Sequence, residues 1–131
     1  MNITTRTDAL AEAANGEPMD PDHFTGPASS RPLHSTLEPH PVRVSVVHFR
    51  PGTRNHWHRH AGGQVLHVVE GEGYAQSRGE AAMRIRTGDT VSAAPGEEHW
   101  HGAGPDAAFA HVAVTIGDTT WLESSAGESV T

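Results

Sequence analysis

Apolar and polar positions alternate with a period of two along most of this chain. In RVSVVHFR, residues 43–50, Val44, Val46 and His48 fall on one face and Ser45, Val47 and Phe49 on the other. Successive side chains of a strand point to opposite faces, and β-branched residues favour that conformation. The same reading puts Leu66 and Val68 on the face of Gln64, with Val65, His67 and Val69 opposite, and it groups His111, Ala113 and Thr115 within residues 109–116. Shorter runs at 74–77, 83–86 and 90–94 also read as strands. Between them lie a hairpin turn at Glu70-Gly71-Glu72-Gly73, a loop at 78–81, a tight turn at Thr87-Gly88-Asp89, and Pro-Gly pairs at 51–52 and 95–96. Short strands parted by Gly, Pro and Asp turns at roughly ten-residue spacing predict an all-β, double-sheet jelly-roll barrel.

The ends break this pattern. Residues 1–22 read as a flexible tail with one or two helical turns at 8–14, capped by Asp8 and stopped by Asn15-Gly16. Ordered chain is expected from Phe24-Thr25-Gly26, residues 27–41 read as a Pro- and Ser-rich loop, and residues 124–131 as a second flexible tail. One domain over 23–123 accounts for the rest, with no repeat and no second domain.

Composition narrows the function. Nine Lys plus Arg against 16 Asp plus Glu give a formal charge of -7, and no basic run is present to follow a phosphate backbone. Nucleic acid and anionic membrane are therefore poor partners. The absence of Cys excludes thiolate nucleophiles, disulfides and sulfur-ligated zinc. No apolar run approaches the ~20 residues of a membrane span, and no basic-then-apolar leader opens the chain, so a cytoplasmic location is expected.

Eleven histidines are the unusual feature, and four of them lie in PGTRNHWHRHAGGQVLHVVE, residues 51–70. His56, His58 and His60 form two overlapping His-x-His pairs. Imidazoles two apart on a strand share a face, about 6.6 Å apart along it, and can converge on one ion. Three residues separate His60 from Gln64, and Gly62-Gly63 allows a bend that returns the Gln64 carbonyl toward His58 and His60. A fourth ligand must come from a remote strand, and the other His-x-His of the chain is His99-Trp100-His101.

The spacing Gly52, His58, His60, Gln64, Gly71, followed by PGEEHWHG at 95–102, resembles the two cupin motifs, with glutamine where glutamate is usual. WHRHAGGQ with HWHGAGPD, together with FTG at 24–26, GEG at 71–73, GD at 88–89 and Trp121-Leu122-Glu123, is similar to the small single-domain cupins that include metal-dependent bacterial hydroxynitrile lyases. The resemblance implies metal ligation by His58, His60, Gln64 and His99. It also implies His101 and His111 as substrate-facing catalytic imidazoles, with Ser45 and Val47 pointing into the barrel. An outer strand near residue 24 that packs on a partner subunit is implied as well, hence a homodimer or higher homo-oligomer. Alternation aims His56 inward too, as an added acid-base group or as a spectator in the bend. Leu66 and Thr115 join Ser45 and Val47 as the expected substrate-pocket lining.

Three imidazoles and an amide are neutral ligands, so a divalent ion among them keeps its full charge as a Lewis acid. Manganese is expected first, with iron, nickel, cobalt or zinc as alternatives. Such an ion beside free imidazoles suits cleavage or formation of a bond next to a hydroxyl or carbonyl of a small molecule. Cyanohydrin cleavage is the specific expectation. The alternatives are an Fe(II) dioxygenase and a non-catalytic small-molecule binder.

Overall fold

The computed structural model describes residues 1, 3–37 and 40–130 of the chain. Among the described residues one α-helix, α1 (Arg6–Ala14), precedes eleven strands, with a short 3-10 turn at Pro21–His23. These are β1 (Glu17–Pro18), β2 (Ala28–Thr36), β3 (Val42–Phe49), β4 (His58–His60), β5 (Gln64–Glu70), β6 (Glu72–Ser77), β7 (Met83–Arg86), β8 (Thr90–Ala93), β9 (His99–Ala103), β10 (Phe109–Ile116) and β11 (Thr119–Trp121). They pair into a six-stranded sheet, β1-β2-β3-β10-β5-β8, and a five-stranded sheet, β11-β4-β9-β6-β7, all antiparallel. The all-β jelly roll expected from the alternation is the observed fold.

The alternation sorts side chains between two cores. Val47, Phe49, Leu66, Val68, Phe109 and Ala113 turn inward and pack with Phe24 and Ile85 between the sheets. On the far face of the larger sheet, Val46 and Ala110 pack against Ala9 and Ala13 of α1.

Two segments at the N-terminal side differ from the sequence reading. The helix begins two residues before Asp8, because Thr5 is its N-cap and accepts from the Asp8 amide at 3.2 Å. Reading residues 1–22 as a tail leaves out its packing: Ala13 is 0% exposed, Ser29 Oγ donates to the Ala13 carbonyl, and Arg31 pairs with Glu12 at 2.6 Å. The expected loop at 27–41 contains β2, which pairs with β3 across its length. Pro32, which has no amide to donate, is accommodated where the β2 to β3 register shifts between Pro32 and His34.

The other end is also tied down. Ser125 is fully buried and its Oγ donates to the Asn55 carbonyl at 2.6 Å, while Arg54 Nη1 donates to the Ser125 and Glu128 carbonyls. Trp57 is 2% exposed, covered by the Arg78 guanidinium at 4.0 Å and donating to Glu128 Oε1 at 3.3 Å.

Ala13 has no room to grow. Ala13→Leu should overpack the contact with Val46 and Ala110 at a cost of about 1–3 kcal/mol, which calorimetry would read as a lower Tm. An unchanged Tm would mean that α1 does not dock as described.

Candidate metal centre and its cavity

The centre draws on both sheets. β4 pairs antiparallel with β9 so that His58 lies directly across from His99. On the facing sheet Gln64 starts β5 opposite Thr115 of β10. The reversal from β4 to β5 depends on Gly63, whose φ is +86° and whose Cβ, if it had one, would sit 2.6 Å from the Ala93 carbonyl oxygen.

Each histidine of the centre is oriented through the nitrogen facing away from it. His58 Nδ1 lies 2.7 Å from the His56 carbonyl, His99 Nδ1 2.9 Å from the Glu97 carbonyl, and His60 Nδ1 2.8 Å from Thr119 Oγ1. The two carbonyls can only accept, so the proton of each of those rings sits on Nδ1 and Nε2 carries a lone pair. Candidate ligand nitrogens of His58, His60 and His99 lie within 4.8 Å of one another.

Two observations test whether a cation fits. His60 Nε2 is buried without a hydrogen-bond partner among the described residues. Gln64 Nε2 donates to Thr115 Oγ1 at 2.8 Å, which turns Gln64 Oε1 to within 3.1 Å of His99 Nε2. With the His99 proton on Nδ1, that contact sets one lone pair against another, an arrangement a shared cation stabilises. Three imidazoles tied at their outer nitrogens and one oriented amide oxygen suit a divalent transition metal.

Burial is the main cause holding these rings neutral. It pushes His58 well below its ordinary value of 6.5, with further lowering from neighbouring His99, and it takes His60 down to about 4. His99 is lowered by burial as well. Neutral imidazole is the form that binds a metal.

Beside the centre lies a cavity of about 410 Å³. His101 and His111 line it, both buried, with His111 Nε2 3.0 Å from His101 Nδ1. Burial lowers both, His111 to about 3, and His101 feels His111 as a second cause. Ser45, Val47 and Thr115 line the same cavity, as do Trp121 and Asn55, and no Asp or Glu is among the described lining residues.

Two expected site residues lie elsewhere. His56 does not line the cavity: its Nδ1 accepts from the Ser125 amide at 3.3 Å and its own amide donates to the His23 carbonyl. Strand alternation cannot be run back from His58 to His56, because β4 starts at His58 and residue 55 makes only an isolated bridge to Phe24. Asn55 reaches the cavity instead, a position the alternation did not indicate. Leu66 lines a second cavity, of about 440 Å³, with Ala75, Ile85 and Val91. Gln64 faces both cavities and His99 faces the second, and the Leu66 side chain packs into the core on the far side of them. Thr119 was also missed. It sits on β11 across from His60, just past the Gly117 turn that returns the chain.

The model of the cupin domain matches residues 45–115, which contain all four candidate ligands. The chain belongs to the cupin family. This cupin is 45% identical over 93 residues, 71% of each chain, to an (R)-mandelonitrile lyase of Granulicella tundricola. A cupin-like protein of Thermotoga maritima, 39% identical, superposes with a TM-score of 0.78 over 83% of this chain and 86% of that one. A double-stranded β-helix protein of Klebsiella pneumoniae shares the fold at 24% identity and a TM-score of 0.67, over 92% of this cupin and 99% of its own chain. Among the described residues no helix is long and apolar enough to cross a membrane.

The lowered imidazoles make the metal-free cupin sensitive to acid. Unfolded histidines take up protons near 6.5, whereas the buried ones resist until well below it, so stability is fully present above about 7 and is lost as pH falls from 6.5 toward 4. Each such histidine steepens the fall by up to about 1.4 kcal/mol per pH unit. Urea unfolding of chelator-treated protein between pH 8 and 4.5 measures this, and a flat profile would show that the rings are solvated.

Proposed function

We propose that this cupin is a divalent-metal-dependent hydroxynitrile lyase, cleaving a cyanohydrin to an aldehyde and HCN and catalysing the reverse addition. The observation that carries the reading is the adjacency of two differently built imidazole groups. One is tied at its outer nitrogens and turned to a common centre; the other is hydrogen-bonded as a pair and faces the same cavity. The identity to a protein named for mandelonitrile cleavage supports it.

His58, His60, His99 and Gln64 are the residues that would hold the ion, manganese first among the candidates. When bound, the ion supplies Lewis-acid polarisation of a substrate oxygen, undiminished by ligand charge. With no carboxylate lining the cavity, proton transfer falls to imidazole, and His101 and His111 are the neutral pair available. The substrate hydroxyl gives its proton to this pair. The O–H electrons become the second carbonyl bond, the C–C bond to the nitrile breaks, and cyanide leaves with that electron pair. A proton returned by the imidazole pair converts cyanide to HCN, so the chain ends as it began. No oxidant enters, and a site of neutral donors offers no charge to stabilise a higher-valent iron, which favours this reading over an oxygenase. Phe24, Val47 and Trp121 supply an apolar wall for an aryl or alkyl group, in a cavity within the range of small-molecule sites.

Elemental analysis of purified protein should find a divalent ion, and mandelonitrile cleavage should be lost on chelation and restored on adding metal. His101→Ala and His111→Ala should each lower kcat by about 10²–10⁴. Turnover that survives chelation, or oxygen uptake on adding substrate to the Fe(II) form, would sink this assignment.

A further inference from the structure

We infer that the imidazole-lined cavity takes a hydroxy or carbonyl compound that carries a carboxylate, held at one end by Arg43 while its reacting carbon lies toward His101 and His111. The inference deepens the lyase reading by naming its substrate class; the turnover part of the test rests on that reading, and the binding part does not.

Arg43 is the one side chain with a permanent charge among the described residues lining the cavity of about 410 Å³. The chain as a whole carries a formal charge of -7, yet no Asp or Glu shares that lining. Arg31, Arg59, Arg78, Arg84 and Arg86 each pair with a glutamate, whereas Arg43 forms none of the ion pairs among the described residues. Its Nη2 donates to Thr119 Oγ1 at 3.2 Å. A guanidinium offers five N–H donors in a planar fork, so that bond leaves the fork available.

Both sheets order the cavity in the same direction. On β3 and β10 the inward pairs run from Arg43 with Thr115, through Ser45 with Ala113, to Val47 with His111. At about 3.3 Å per residue the first and last pairs lie about 13 Å apart along the strands. On the facing sheet Thr119 pairs with His60 and Trp121 with His58. The Arg43 bond to Thr119 therefore matches the two series at the same end. Ser35, across from Arg43 on β2, lines that end as well. The cavity thus runs from a cationic end, past Trp121, to the imidazole pair.

Charge decides what fits. His58, His60, His99 and Gln64 are neutral donors, so an ion held by them adds its whole charge to that of Arg43, and nothing in the described lining offsets either. A negatively charged ligand does. Cyanide, the anion that the lyase reaction releases, offers a guanidinium one acceptor atom at a time. A carboxylate meets two N–H groups at once. The separation along β3 then requires the acid group and the reacting carbon to sit at opposite ends of the ligand, with a ring or short chain between them.

The test uses the full-length chain, chelator-treated and again loaded with Zn²⁺, and the matched pair 4-(hydroxymethyl)benzoate and its amide. Calorimetric titration at low salt should find the acid bound about fivefold more tightly than the amide, the scale of an exposed ion pair, and the preference should shrink as salt is added. Arg43→Gln should abolish the preference, and Arg43→Lys, which keeps the charge without the fork, should retain part of it. In turnover, the cyanohydrin of 4-carboxybenzaldehyde should show a KM about fivefold below that of mandelonitrile, a difference lost in Arg43→Gln. Equal affinity for acid and amide, binding of neither, or a preference that persists in a folded Arg43→Gln variant overturns the inference. So does a preference in the parent protein that salt leaves unchanged, whether or not the variant folds. Failure of the lyase reading would instead appear as no cleavage of either cyanohydrin, with the preference for the acid intact.

Discussion

Buried imidazoles need partners, and how they are partnered governs the centre of this molecule. An unpaired polar atom inside a barrel costs on the order of 1–3 kcal/mol. Here the outer nitrogens of His58, His60 and His99 are satisfied by two carbonyls and a hydroxyl, so the cost is concentrated on the inner nitrogens. The barrel places these on strands from one sheet and the oriented amide of Gln64 on the other, so the gap between the sheets becomes the coordination space. His101 and His111 sit in the same low-dielectric interior but are paired with each other through His101 Nδ1 and His111 Nε2, with His111 Nδ1 left without a partner among the described residues. One cavity thus holds two kinds of neutral imidazole, distinguished by what their nitrogens touch.

Much of this could be read along the chain wherever alternation was unbroken. On β3, β5 and β10 a period of two aimed Val47, Gln64, His111 and Thr115 correctly, and the side chains of His58, His60, Gln64 and His99 lie together as the motif resemblance implied. It failed where backbone geometry is irregular. Asn55 and His56 precede β4 and obey no strand parity, so Asn55 lines the cavity and His56, which parity aimed inward, does not. β2 was hidden because Pro and Ser dominate its sequence, and its Pro32 is tolerated only because the register shifts there. The contribution of α1 was hidden for another reason: it buries alanines, whose small side chains give little hydrophobic signal yet allow close approach to Val46 and Ala110.

The second cavity shows how little separates the centre from solvent on its other side. Gln64 lines both cavities and His99 the second, while Leu66 and Ile85 fill the core behind them. The centre is therefore held between one imidazole-lined space and one lined at its base by aliphatic side chains, and the ligand set doubles as a partition.

The strap formed by residues 125–128 has a consequence for how the protein matures. Ser125 reaches back 70 positions to Asn55, and Arg54 reaches 74 to Glu128. Contacts this distant in sequence are slow to close. The barrel's own valines pair across the same span, Val44 of β3 with Val114 of β10, so the clamp behind His101 belongs to the same class of non-local contact as the sheet it supports. Barrel and pocket wall therefore draw on equally remote parts of the sequence, and neither can close from local contacts alone.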